Sequence, residues 1–281
     1  MSLGVFLAIL FAAALHASWN AIIKGGTDKT LAMGALVLGH IPIALAALPF
    51  VPMPNAAAWP YIIAGASLHM GYQLFLIQSY RLGDLTQVYP IARGVAPLIV
   101  SFVSLVFLGV VLSNLQVIAV ACIAAGIIGL GLLRGATGVR DTRAVLFALG
   151  TGVFIAAYSI VDGLGARVNG SALSYYAWLS VFNGAAMAAY LVWTMPGSVR
   201  AIPSQAKLHF FVGGGASFLA YAIVTWAFTQ APIALVTALR ETSIVFALLV
   251  GVIWLGERLN LLKLCATLAA VFGAVLLRLA A

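Results

Sequence analysis

Residues 231–247 read Ala-Pro-Ile-Ala-Leu-Val-Thr-Ala-Leu-Arg-Glu-Thr-Ser-Ile-Val-Phe-Ala, and the apolar run continues through Trp254 to Leu255-Gly256-Glu257-Arg258-Leu259. The stretch 233–255 is long enough to cross a bilayer, because a spanning helix needs about 20 mostly apolar residues. No alternation of period two persists in it, so a barrel strand is excluded. Two charges, Arg240 and Glu241, sit inside it. A charge within a membrane helix costs roughly 2.5–3.5 kcal/mol on insertion scales and survives where it has a partner or a watery cavity. The stretch therefore predicts a spanning helix that carries function.

Nine further stretches of this kind precede and follow it. With 233–255 they give ten candidate spans: 3–24, 29–51, 58–80, 85–108, 113–134, 142–166, 171–195, 205–230 and 260–280. Short connections hold the helix breakers, as in Gly25-Gly26, Pro52-Met53-Pro54, Gly83-Asp84 and Ala231-Pro232. Composition demands the same answer. Of the 281 residues 64% are hydrophobic and 7% charged, against about 45–50% and 25% in soluble domains. Met1–Ala17 has the apolar run of a signal peptide but no positive start, and it continues through Trp19 to Ile23, so it reads as a first span. Cys122 and Cys265 lie in apolar runs and imply no disulfide framework.

The net charge of +8 comes from single basic residues between apolar runs, which are topology signals rather than a nucleic-acid surface. Lys24, Lys29, Arg81, Arg134, Arg140, Arg143, Arg200, Lys207, Arg258 and Lys263 fall on one side, and Arg167 and Arg278 on the other. The bias places the first side in the cytoplasm, both termini outside, and the chain in the inner (plasma) membrane.

The chain repeats itself. A shift of 147 residues puts Arg93 on Arg240, Leu108-Gly109 on Leu255-Gly256 and Gly126 on Gly273. A shift of 150 puts Gly65-Ala66-Ser67 on Gly215-Ala216-Ser217, and one of 141 puts Phe6 on Phe147 and Ser18 on Ser159. This divides the chain into repeats 1–134 and 142–281 joined by a linker 135–141. Five spans per repeat is an odd number, so the halves insert in opposite senses. Inverted repeats of this kind mark transporters with a site near the midplane. The expected fold is all-α integral membrane, ten helices as an inverted 5+5 repeat.

Residues 231–247 with Leu-Gly-Glu-Arg-Leu at 255–259 resemble the closing motif of the EamA branch of the drug/metabolite transporter superfamily. Gly-Asp-Leu-Thr-Gln-Val-Tyr-Pro-Ile-Ala-Arg-Gly-Val-Ala-Pro at 83–97 is similar to its first-half counterpart. The resemblance covers nearly the whole chain as two EamA-like units, and implies ten helices and metabolite transport. Leu108-Gly109-Val110 departs from the Leu-Gly-Glu usual in the family, and many relatives place their termini in the cytoplasm. His16-Ala-Ser-Trp-Asn20 resembles a subgroup associated with phosphonate utilisation.

The candidate site gathers the polar residues of the spans. Arg93 and Arg240 each lie about 5 Å from the midplane at 1.5 Å per residue, on opposite sides of it. Either could clamp an anionic group by paired hydrogen bonds; alternatively Arg93 pairs with Glu241 across the repeats. Adjacent residues of one helix point apart, so Arg240 and Glu241 make poor partners for each other. Glu241 is also a candidate proton carrier. His16 and Asn20 share a face, with Trp19 beside them. His69, Tyr72 and Gln73 share another, and Tyr89, Tyr158 and Tyr221 complete the polar set. Each of these can equally serve as an interhelical hydrogen bond. Asp162 is expected near the outer end of its span, in a surface or gate ion pair with Arg167. Pro90 and Pro97 can bend the span 85–108.

No nucleotide, zinc or Ser-His-Asp motif is present, so no catalytic residue, metal or cofactor is assigned. The reading is a secondary transporter or exchanger of a small zwitterionic or anionic metabolite, such as an amino acid or an aminophosphonate. Its partners are the solute, the bilayer and a coupling ion such as the proton. Three rivals stay open: a lipid flippase, a membrane enzyme acting on lipid-linked substrate, and an exporter of organic cations. Oligomeric state is left open, a monomer included.

Overall fold

The computed structural model describes residues 1–24, 28–82, 85–132, 142–246, 249 and 261–279. Among these the chain is helical, with no strand. The helices are α1 (Leu3–Lys24), α2 (Lys29–Leu38), α3 (His40–Ala47), α4 (Trp59–Leu82), α5 (Leu85–Val106), α6 (Asn114–Leu132), α7 (Thr142–Asn169), α8 (Ala172–Thr194), α9 (Ser198–Gln205), α10 (Gly214–Gln230), α11 (Ile233–Arg240) and α12 (Leu261–Leu279). Asp28 caps α2 by accepting from the backbone N–H groups of Thr30 and Leu31, and Ser171 caps α8 through Ser174.

Three of the expected spans are not single helices. The stretch 29–51 bends at Gly39, with Pro42 inside α3 and a 3-10 turn, Leu48–Phe50, at its end. Gly39 is small for a reason: a Cβ there would land on the carbonyl oxygen of Phe210. The stretch 205–230 opens with a π-helical turn, His209–Gly213, and α9 stands apart before it. The third departure is at the site itself. α11 stops at Arg240, and Glu241 and Thr242 form a turn with the short bonds Glu241 N–H to Ala238 O and Thr242 N–H to Leu239 O. The Thr242 hydroxyl also donates to Leu239 O. α5, by contrast, runs as one helix through Pro90 and Pro97.

Helices pair between the two halves, and the pairing is reciprocal. α4 packs along α7 as α1 packs along α10; α3 lies on α8 and α6 on α12. The bundle turns apolar side chains outward. Leu3, Leu7 and Phe11 of α1 are each more than half exposed, while Val5, Ile9, Ala12 and Ala13 of the same helix are buried. An exterior of this kind requires lipid, not water. Among the described residues four helical segments are long and apolar enough to cross a membrane: Leu3–Asn20, Lys29–Phe50, Thr142–Asn169 and His209–Gln230. The linker 135–141, the connection Gly83-Asp84 and the residues Trp254, Glu257 and Arg258 lie outside the described residues.

Candidate functional site

Two buried polar assemblies occupy the interface between the halves. The first is built on Asp162 of α7, which has no exposed surface. The His69 Nε2 of α4 lies 2.8 Å from Asp162 Oδ2. The Tyr221 hydroxyl of α10 donates to the same oxygen at 2.6 Å, and the Tyr175 hydroxyl of α8 lies 3.0 Å from Oδ1. A carboxylate removed from water needs such partners. The expected Asp162–Arg167 pair does not form. Arg167 instead donates from Nε to Phe228 O and from Nη2 to Ala231 O, both at 2.8 Å, closing the end of α10. Carbonyls left free at that helix end hold the guanidinium, and three neighbouring helices hold the aspartate.

The second assembly gathers at the break after α11. Arg93 Nη1 of α5 donates to Glu241 Oε1 at 2.9 Å. Arg240 reaches the same oxygen from Nη2 at 3.3 Å and from Nε at 3.4 Å. The expectation that Arg240 and Glu241 point apart fails because the helix ends between them, and the turn lets the two side chains converge. All three residues are buried. Tyr158 joins the assemblies: its ring stacks on His69 with centroids 4.1 Å apart, and Arg240 lies over the rings of Tyr158 and Tyr221 at 5.7 and 5.9 Å.

Beside these assemblies lies a cavity of about 60 Å³. One water needs roughly 10–15 Å³ of such space, so the chamber can hold several waters or the polar part of a small solute. Of the expected site residues, His16, Trp19, His69, Tyr72, Gln73, Tyr158 and Tyr221 line it. Arg93, Arg240 and Glu241 stand apart from the lining set. Asn20 turns its amide nitrogen back to the carbonyl of His16. The side chain of Tyr89 lies outside the described residues. His40 of α3 and Tyr176, Ser180 and Asn183 of α8 also line the cavity and were not anticipated. Their signal was present on α8, since 176, 180 and 183 follow helical spacing on one face.

Among the described residues, the lining side chains whose buried polar atoms have no hydrogen-bond partner include His16 Nε2, Trp19 Nε1, His40 Nε2, Gln73 Oε1 and Asn183 Oδ1. The indole N–H is a donor and the two amide oxygens are acceptors. Among the described residues no group of His, Cys, Asp or Glu is placed to hold a metal.

Residues 142–279 match the model of the EamA-like transporter family. A solved crystal structure aligns over 99% of this chain and 98% of its own with a TM-score of 0.77 and 18% identity, a likeness of fold. No curated protein matches the chain in sequence. Residues 142–279, which supply Tyr158, Asp162, Tyr221, Arg240 and Glu241, are similar to the EamA-like transporter family, and the chain's long apolar helices are those of a multi-pass membrane protein.

Proposed function

We propose that the protein is a secondary transporter or exchanger of a small zwitterionic or anionic metabolite, an amino acid or a related compound. The solute crosses chemically unchanged, by alternating access about the cavity between the halves. The observation that carries the reading is the set of unpartnered polar atoms on the cavity wall. A buried polar group without a partner costs about 1–3 kcal/mol. A zwitterion supplies both missing kinds of partner: its acidic end takes the Trp19 N–H and an imidazole, and its ammonium end takes the oxygens of Gln73 and Asn183. Arg240 behind Tyr158 and Tyr221, and Asp162 behind His69, set a cation and an anion behind the aromatic wall.

The reciprocal pairing of helices supports ten spans in an inverted 5+5 arrangement. The basic bias of alternate connections supports an inner-membrane location with both termini outside.

Counterflow in proteoliposomes tests the function. Vesicles preloaded with a mixture of amino acids and 2-aminoethylphosphonate should take up a labelled member saturably. No exchange with any zwitterion or anion, from protein that elutes as a folded species, would sink the reading. A second reading has a specific observation in its favour: Trp19, Tyr72, Tyr158, Tyr176 and Tyr221 all face the cavity, and aromatic faces bind quaternary ammonium ions. Labelled choline in the same assay separates the two.

A further inference from the structure

We propose that the His69–Asp162 pair is a proton-binding site that couples a proton gradient to the solute in the cavity, an inference that rests on the transport reading above. Two buried carboxylates compete for the role. Glu241 is the weaker candidate. Its Oε1 accepts from Arg93 and Arg240, whose charges are permanent. A proton on its Oε2, which has no partner among the described residues, would cancel the anion that both guanidiniums contact, and leaving a buried charge uncompensated is strongly unfavourable.

Asp162 is tied to a cation that can come and go. With Nε2 of His69 held by Asp162 at 2.8 Å, the remaining site on the ring is Nδ1. Loading puts one proton from cavity water on Nδ1 and gives an imidazolium facing a carboxylate; unloading returns that proton to water. No other bond forms or breaks. The Tyr175 and Tyr221 hydroxyls lie on the Asp162 carboxyl group beside the imidazole.

The pair also stands where a coupling site must. His69 is a wall of the cavity, so proton and solute share one chamber and each alters the affinity for the other. The charged and titratable groups around the pair come from every helix packed on it. They are His16 of α1, His40 of α3, Tyr61 and Tyr72 of α4, Tyr158 of α7, Tyr175 and Tyr176 of α8, and Tyr221 of α10, with Arg240 behind Tyr158 and Tyr221 and with Arg93 and Glu241 beyond. His40, a rival imidazole, lies against the Phe218 ring, and among the described residues its Nε2 has no partner and no carboxylate bonds to it.

The test uses the full chain in proteoliposomes with labelled alanine and labelled 2-aminoethylphosphonate. Counterflow without a pH gradient is measured first, then accumulation with a gradient of each polarity, and the result is the ratio of driven to undriven uptake. Wild type should show a ratio of severalfold for one polarity. In Asp162→Asn and His69→Gln the ratio should fall to one at whatever counterflow each retains, and Asp162→Glu should restore it in part. A wild-type ratio of one under both polarities overturns the proton site. So does a wild-type ratio in both variants, or loss of counterflow itself in both, which would make the pair scaffold. Absence of wild-type counterflow with these two solutes and with every other zwitterion or anion of the mixture is a different failure, that of the transport reading, and takes the coupling site with it.

Discussion

Arg93 and Glu241, 148 residues apart in the chain, meet at 2.9 Å in the interior, and the oxygen that receives Arg93 is the one Arg240 also contacts. One carboxylate thus serves two guanidiniums from the two halves of the molecule. The arrangement sits in low dielectric, where removing one partner of a buried pair costs about 3–5 kcal/mol.

Glu241→Gln should therefore be the most damaging conservative change in this cluster. It withdraws the anion from both arginines at once. Arg93→Met leaves Glu241 with Arg240 and should cost less. Thermal unfolding in detergent, followed by loss of the folded peak on size exclusion, reads the order. A Glu241→Gln protein as stable as wild type would show that the pairing is not what holds the break after α11 together.

Two adjacent glycines of α10 give a sharp contrast. A Cβ on Gly214 would meet Gly39 Cα at 2.9 Å and Leu36 O at 3.0 Å, both backbone, whereas a Cβ on Gly215 meets nothing within 4 Å. Gly214→Ala should force the first-half bend at Gly39 away from α10 and lower the unfolding temperature. Gly215→Ala should be neutral or stabilising by about 1 kcal/mol, the difference in helix propensity. Equal behaviour of the two variants would contradict the close crossing.

Arg167 closes the end of α10 with a fork of two donors, one to Phe228 O and one to Ala231 O. Since the side chain is partly exposed, its loss in Arg167→Met should cost about 1–2 kcal/mol after solvent screening. Arg167→Lys should recover less than half, because a single ammonium does not reproduce the planar fork. Full rescue by lysine would reduce the contact to simple charge. Asp162→Asn should leave this stability difference unchanged, as the two residues do not touch.

What could be seen in the sequence follows from what is local. The helices at 3–24, 85–106 and 142–169 were legible because length and apolarity are properties of the stretch itself. The break after Arg240 was not, because the apolar pattern of Leu239, Ile244 and Val245 carries on across it. What ends the helix is the short bonding of Glu241 and Thr242 and the pull of Arg93 from another helix. Asp162 was misjudged for the same reason. Its neighbour in sequence is Arg167, and the groups that bind it come from α4, α8 and α10, at separations of 93, 13 and 59 residues. The wall of the cavity was half legible: α1, α4, α7 and α10 announced themselves by paired polar residues, while His40 stood alone in an apolar run and Asn183 drew no attention.

Asn183 and Gln73 now offer the most direct probe of the cavity. Each presents an amide oxygen that no donor among the described residues satisfies. If a solute ammonium group satisfies them, replacing either by Leu keeps the bulk and deletes the acceptor, so the ground-state cost of the orphan disappears together with the contact. The net change is the lost solute bond, about 1.5–3 kcal/mol for a bond to a charged group, or roughly 10- to 150-fold in half-saturation. Trp19→Phe removes the N–H donor in the same way and should weaken anionic solutes while sparing choline. Half-saturation constants from counterflow with alanine, 2-aminoethylphosphonate and choline distinguish the ends of the solute. A loss for alanine and 2-aminoethylphosphonate in Asn183→Leu and Gln73→Leu, but not for choline, whose quaternary nitrogen carries no N–H, with Trp19→Phe also selective for the acids, places a primary ammonium against α4 and α8. Unchanged constants in all three variants would move the solute out of this cavity altogether.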